Sequence, residues 1–196
     1  MSPDDLILTW IHVAWSSDFA DHLFNWVSAR ASFSLPLLLL LLIYASIKQG
    51  WGGLAWWLGL ILAAIIGDLY GLHLKHLISE LRPCSASAGF AALRPDLACG
   101  DTYLGMPSNH AINFFTVALF VMMTRPQWRG WHMVLVCAAI LASLSRIYLA
   151  KHYPSQVVSG AFIGINIGIL SALLFRYREW IVNMLFNLNY SRWREI

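Results

Sequence analysis

Five apolar runs, separated by short polar or proline-rich breaks, set the pattern of this chain. The first runs from about Ala31 to Ile47, around the unbroken leucines Leu37 to Leu42. Its length is near the lower limit, roughly 17 residues, for a helix that crosses a bilayer. After Lys48-Gln49-Gly50, a second run covers Trp51 to His73 and carries one acid, Asp68. A third extends from His110 to Met123 and stops at Thr124-Arg125-Pro126. The fourth spans Trp131 to about Leu149, and the fifth Ser155 to Phe175. Each is read as a membrane-crossing helix.

The flanks and the central break read differently. Asp4 to Arg30 is apolar but interrupted by Asp18 and Asp21, which predicts one or two amphipathic helices lying on the membrane. The tail, Arg176 to Ile196, alternates Arg176, Arg178, Arg192 and Arg194 with aromatic residues, again an interfacial pattern. The longest polar stretch, Lys75 to Asn109, holds Pro83, Pro95, Pro107, Gly89, Gly100 and Gly105, so it is not one continuous helix. A loop of this length is usually functional. The expected fold is all-α: a polytopic membrane helical bundle of about five transmembrane helices, with interfacial helices at both ends. Residues 1–196 form one membrane domain.

Composition agrees. Apolar residues make up 59% of the chain and charged ones 12%, about half the usual soluble share, with a mean hydropathy of +0.62. Ten Trp, ten Phe and seven Tyr suit headgroup-level interfaces. A net charge of +3 and a pI near 8.9 are too mild for a nucleic-acid partner but fit an anionic substrate. The three cysteines lack metal-finger spacing. Met1 to Trp10 carries Asp4 and Asp5 where a signal peptide would be basic, so the N-terminus is expected to be retained.

Five spans place the end of the second, the start of the third and the end of the fourth on one side. Seven basic residues fall on the opposite side: Lys48, Arg125, Arg129 and the four tail arginines. The motif side holds six, three of them needed for chemistry. Positive-inside bias then turns the motif side outward, to the periplasmic or extracytoplasmic face.

Three patches share that face. Lys75 and Arg82-Pro83 end the second span, and two cations two helical turns apart would clamp an anion, the forked guanidinium suiting phosphate oxygens. Alternatively they are snorkelling anchors. Pro107-Ser108-Asn109-His110 opens the third span, where a helix N-terminus presents N–H groups to an anion. It also reads as a plain cap with an interfacial histidine. The third patch runs from Ser145-Arg146 to Lys151-His152-Tyr153-Pro154-Ser155-Gln156. Arg146 is costly near the end of an apolar helix unless it meets an anion or a carboxylate. Together the three read as a phosphate cradle with a nucleophile and an acid.

The spacing Lys-x6-Arg-Pro, Pro-Ser-x-His and Ser-Arg-x5-His resembles the tripartite signature of the type-2 phosphatidic acid phosphatase superfamily, over residues 68–164. The resemblance implies a helical membrane bundle that hydrolyses a lipid phosphate or diphosphate without metal or other cofactor. It implies His152 as the nucleophile that forms a phosphohistidine and His110 as the acid for the leaving group. Lys75, Arg82 and Arg146 would hold the phosphoryl oxygens, with Ser108, through its N–H and hydroxyl, and Asn109 completing the cradle. Two positions depart from the family pattern. Asn109 replaces a usual glycine, which suits a left-handed or capping geometry. Gln156 replaces an aspartate that orients the nucleophile. It can accept the imidazole N–H but adds no charge, so a weakened nucleophile is expected, one that Gln156→Asp would strengthen.

Small chains of this kind look most like undecaprenyl-diphosphate phosphatases of the bacterial inner membrane. A phosphatidylglycerophosphate or lipid A phosphatase, a phosphotransferase, and a non-catalytic lipid-phosphate binder or transporter are the alternatives. Cys84 and Cys99, beside Pro83 and Gly100 in the outer loop, are expected to form a disulfide. Cys137 is expected to stay a free thiol in the fourth span. His73 and His76 have metal-compatible spacing and could join His110 or His152 at a zinc, although no acid or cysteine completes the set. His12, His22 and His132 are expected at the interface. Asp68, seven residues before Lys75, either orients that lysine or has another polar partner.

Overall fold

The structure, a computed structural model, describes residues 2–85, 95–100 and 103–186, with side chains as far as Arg178. The tail arginines Arg192 and Arg194, expected at the interface, lie outside the described residues. Helix α1 (Pro3–Ala14) starts with a capping box, in which Ser2 and Asp5 satisfy each other's backbone N–H, and with Pro3 in the first turn. Helix α2 (Asp18–Ser28) is capped by the Ser17 hydroxyl on the Ala20 N–H. A π-helical turn, Arg30–Ser34, leads into α3 (Leu35–Gln49), which ends at Gly50 with φ 54°. Then come α4 (Trp51–Ile78), α5 (Asn109–Thr124), α6 (Arg129–Tyr148) and α7 (Pro154–Phe186).

Among the described residues, four stretches are long and apolar enough to cross a membrane: Arg30–Gln49, Trp51–Ile78, Arg129–Tyr148 and Pro154–Arg178. The third expected span is α5, apolar but only 16 residues long, hence about 24 Å. Its shortness goes with its place. Helix α5 is the axis of the bundle, packed along α4, α6 and α7, with Ala111, Ile112, Ala118, Phe120 and Val121 buried. The outer helices turn Leu39, Leu40, Leu58 and Leu62 outward, as lipid-facing surfaces do.

Helix α7 approaches α5 through Gly160, Gly164 and Gly168, spaced one turn apart. A β-carbon on Gly164 would lie 2.4 Å from the Ile112 carbonyl oxygen, and one on Gly160 2.5 Å from that of Ser108. Small residues allow such backbone contact, which drives helix association where the hydrophobic effect is absent. The Thr116 hydroxyl adds a 3.1 Å bond to the Gly164 carbonyl.

The N-terminal helices do more than lie on a membrane. Leu6, Trp10, Val13 and Phe19 are exposed, but Leu8, Ile11, Phe24 and Val27 are buried, and both helices pack on α6. Tyr148 is the anchor, its ring centroid 4.5 Å from that of Phe24 and its hydroxyl donating to Asp21 at 2.6 Å. His12, expected at the interface, is instead buried and stacked on Tyr148, because the inner face of α1 meets α6. Asp4 accepts the Ser155 N–H at 2.9 Å, placing an acid against the start of α7, where the helix dipole favours it.

Cys84 and Cys99 are joined by a disulfide across a sequence separation of 15. Closing a loop of that length contributes about 3 kcal/mol in the chain-entropy account. The Cys84 N–H donates to the Ala150 carbonyl at 2.9 Å, tying this loop to the α6–α7 connection. Cys137 is a free thiol on the exposed side of α6.

Candidate active site

The ends of α4 and α6 and the starts of α5 and α7 meet on one side of the bundle. Lys75, in the last turn of α4, is 6% exposed. Its ammonium donates to the Pro107 carbonyl at 2.5 Å and the Leu104 carbonyl at 2.9 Å. The helix does not continue to Arg82 as the two-turn spacing suggested. It ends at Ile78, and Ser79 caps it in the left-handed conformation with φ 50°. The chain then folds back, and Arg82 reaches the same Leu104 carbonyl through Nε at 3.4 Å and Nη2 at 3.3 Å. Lys75 and Arg82 thus converge through a shared acceptor rather than a shared helical face.

Ser108 caps α5 without a side-chain bond, and its buried hydroxyl has no partner among the described residues. Its N–H, expected to face a phosphate, instead donates to the Gln156 carbonyl at 3.0 Å. Asn109 also differs from expectation. It opens α5 as its first residue, behind the cap Ser108, rather than adopting a left-handed or capping geometry, and its amide donates to the Asp68 backbone and carboxylate oxygens, each at 3.0 Å. Asn113 donates to the same carboxylate at 3.0 Å. Asp68 therefore holds two asparagines of α5, and a side chain at Gly71 would collide with Asn109 Oδ1 at 2.6 Å.

Arg146 ends α6. Its carbonyl accepts the N–H of Lys151 at 2.9 Å and of His152 at 3.1 Å, which wraps the connection around it. Its guanidinium donates to the Ser28 hydroxyl, and Nε is buried without a partner among the described residues. His110 Nε2–H donates to the Ser28 carbonyl at 3.2 Å, so one residue of α2 orients both groups.

His152 is 2% exposed, at the entry to α7. Its Nδ1 faces two acceptors, the Gly105 carbonyl at 2.7 Å and Gln156 Oε1 at 3.3 Å. A carbonyl oxygen only accepts, so Nδ1 carries the hydrogen and Nε2 is left with its lone pair. Burial pushes the imidazole pKa well below its usual range, and the charges of Lys75, Arg146 and Arg82 push it further the same way. Burial also lowers Arg82, and burial with the Arg146 and Arg82 charges lowers Lys151.

Gln156 is completely buried and its amide orientation is set from both ends. Nε2 donates to the Leu81 carbonyl at 2.8 Å, while Oε1 accepts the Tyr153 N–H at 3.1 Å. The second bond is half of a capping box, with Gln156 the third residue of α7 and Tyr153 preceding the helix. Gly105 has no space for a side chain: a β-carbon would lie 2.6 Å from Gln156 Nε2 and 2.6 Å from the Leu81 carbonyl oxygen. Reading residue types missed Gly105, Leu104, Leu81 and Ser28 as parts of the site. All four contribute main-chain carbonyls; the closest signal was Gly105, noted only as loop punctuation.

The structure does not assemble the alternative zinc group. His73 and His76 are exposed while Lys75, between them, is buried, so they turn away from His110 and His152. A cavity of about 300 Å³ opens between α3, α4 and α5. Its walls are mainly Leu37, Leu38, Ile61, Ile65, Phe114 and Val117, and its polar end is formed by Arg30, Ser34, Asp68, His110 and Asn113. His110 belongs to both the cavity and the polar cluster.

The chain is similar to known proteins over much of its length. The family model of the PAP2 superfamily matches residues 53–180. The chain is 28% identical over 137 residues to an undecaprenyl-diphosphatase of Sulfolobus acidocaldarius, covering 70% of this chain and 61% of the relative, so it spans about six tenths of that protein's length. It is 30% identical over 204 residues to dolichyldiphosphatase 1 of Mus musculus, covering 91% and 79%. A lipid A 4'-phosphatase of Helicobacter pylori is 32% identical over 118 residues, covering 59% and 54%. Among solved structures, the PAP2-type phosphatidylglycerolphosphate phosphatase of Bacillus subtilis shares the fold, with a TM-score of 0.63 at 21% identity and coverage of 88% and 84%. With the family match extending over more than half of its length, this chain belongs to the PAP2 superfamily.

Proposed function

We propose that this multi-pass membrane protein hydrolyses a lipid phosphate or diphosphate through a phosphohistidine on His152, with undecaprenyl diphosphate the preferred substrate. The observation that carries the reading is the bond from His152 Nδ1–H to the Gly105 carbonyl, which leaves Nε2 unprotonated beside Lys75, Arg82 and Arg146. Nε2 attacks the terminal phosphorus in line, and the bond from phosphorus to the leaving oxygen breaks. Lys75, Arg82 and Arg146 stabilise the charge spread over the phosphoryl oxygens, using N–H groups that now donate to Leu104, Pro107 and Ser28. His110, oriented by Ser28 through Nε2–H, enters the step protonated on Nδ1 and passes that proton to the leaving oxygen. Water then attacks the phosphohistidine and gives its proton to Nδ1 of His110, the P–N bond breaks, and inorganic phosphate leaves.

Two features favour a prenyl diphosphate. Relatives over much of the chain carry undecaprenyl- and dolichyl-diphosphatase names. The cavity beyond His110, about 300 Å³, lies at the lower end of ligand-pocket volumes and suits one apolar chain better than two. The placement we favour is a bacterial inner membrane with the site outward, in keeping with the basic-residue bias and with a disulfide that needs an oxidising compartment.

The test is phosphate release by purified protein given undecaprenyl diphosphate, undecaprenyl phosphate, phosphatidylglycerophosphate and lipid A. Fastest release from the prenyl diphosphate is expected. Tight binding of every lipid with no release from any would instead make the chain a lipid-phosphate binder.

A further inference from the structure

We propose that Arg30 holds the second, lipid-bearing phosphate of a diphosphate substrate and so selects diphosphates over monophosphates. The inference rests on the phosphatase reading above and starts from the position of Arg30. It opens the π-turn ahead of α3 and lines the polar end of the cavity with Ser34 and His110. It lies two residues from Ser28, which contacts both His110 and Arg146. No hydrogen bond or ion pair engages Arg30 among the described residues, although Asp68 lines the same cavity. The amides of Asn109 and Asn113 hold that carboxylate instead.

The order of groups along a bound substrate then follows. The terminal phosphoryl group sits at His152, the breaking bond at His110, and the next atoms lie on the cavity side of His110. In a monophosphate those atoms are the first carbons of the lipid. In a diphosphate they are a second phosphate, which gains negative charge as the terminal P–O bond breaks. A forked guanidinium at the polar end of the cavity matches that charge in place and in geometry, and its contribution grows in the transition state. An apolar wall alone would reject the diphosphate, because desolvating an unpaired anion is costly. Arg30 makes no step of its own. It binds the leaving group while His152 and His110 act.

The competing role for an arginine at the start of a membrane helix is headgroup anchoring, which would be indifferent to the number of phosphates. The experiment compares Arg30→Gln, Arg30→Lys and the wild type on farnesyl diphosphate and farnesyl phosphate, two probes with one tail. Arg30→Gln should lower kcat/KM for the diphosphate by about 10- to 100-fold, the range expected on losing a hydrogen bond to a charged group, and change the monophosphate less than about threefold. Arg30→Lys should recover part of the loss. Equal losses on both probes, or no loss on either, would overturn the proposal. Turnover of the monophosphate reports correct folding. If the wild type releases no phosphate from either probe, the phosphatase reading fails by itself. Arg30 is then judged by binding of the non-hydrolysable farnesyl methylenebisphosphonate, where an unchanged Kd in Arg30→Gln would overturn it.

Discussion

His152 Nδ1–H donates to the main-chain oxygen of Gly105 at 2.7 Å, nearer than Gln156 Oε1 at 3.3 Å. The residue at 156 therefore does not orient the proposed nucleophile alone. A backbone carbonyl has no second tautomer or protonation state, so it holds Nδ1–H without a carboxylate. Gln156 acts as a strut, linking the start of α7 to Leu81. Ser28 does for His110 what Gly105 does for His152.

Gly105→Ala tests this arrangement from the loop side. The added methyl would meet Gln156 Nε2 and the backbone oxygens of Leu81 and Glu80 at 2.6 to 2.8 Å, so the segment must move and carry the acceptor with it. Misplacing a catalytic group by about 1 Å can cost 10²-fold, so kcat should fall roughly 100-fold while lipid binding changes little. Steady-state kinetics beside a direct binding measurement separate the two effects. A wild-type kcat would mean that Gly105 does not position His152.

The second prediction reverses the expectation from sequence that Gln156→Asp strengthens the nucleophile. Aspartate is one methylene shorter and has no N–H for the half-buried Leu81 carbonyl, so a hydrogen bond worth about 0.5–1.5 kcal/mol is lost. Gln156→Asp should lower the melting temperature and reduce turnover by about tenfold. Thermal unfolding and phosphate release on the same preparation check both. A tenfold gain in turnover would show instead that missing charge limits the wild-type rate.

The fold and the chemistry were legible to different depths. The spans and the side-chain chemistry of Lys75, Arg82, His110, Arg146 and His152 are carried by residue type and apolar length. What was not legible depends on backbone placed by distant contacts. The stop at Ile78 follows from the left-handed Ser79, and the convergence of Lys75 and Arg82 from a Leu104 carbonyl that any residue could supply. Burial of His12 requires Tyr148, which lies far along the chain. The glycines 160, 164 and 168 stand four apart in the sequence, yet that spacing gains meaning only when α5 lies against it.

Acid pH provides a third test. In the proposed mechanism attack requires neutral His152, and burial with three nearby cations holds its pKa well below 6.5. Because the folded value is depressed, the active form persists as pH falls through 6.5 and is lost only near the lower folded value. The acidic limb of kcat/KM, which reports groups of the free enzyme, should therefore lie well below pH 6.5. Removing one cation with Lys75→Met should move that limb upward. A wild-type limb centred at or above pH 6.5 would contradict the assignment.

His110→Ala should show its cost through the leaving group. An acid that acts only on departure matters most when the leaving oxygen is basic. The loss should reach about 10²- to 10⁴-fold on an alkyl monophosphate and shrink on an aryl phosphate. Equal losses across a series of leaving groups would exclude that role for His110.

The most direct test identifies which nitrogen of His152 is phosphorylated. Enzyme mixed with substrate, denatured rapidly in alkali and digested can be read by phosphorus NMR against the two phosphohistidine standards. Because Nδ1–H is committed to Gly105, the phosphoryl group is expected on Nε2 of His152, with no phosphohistidine in His152→Ala. Phosphate on Nδ1, or turnover with no phosphohistidine at position 152, would contradict it.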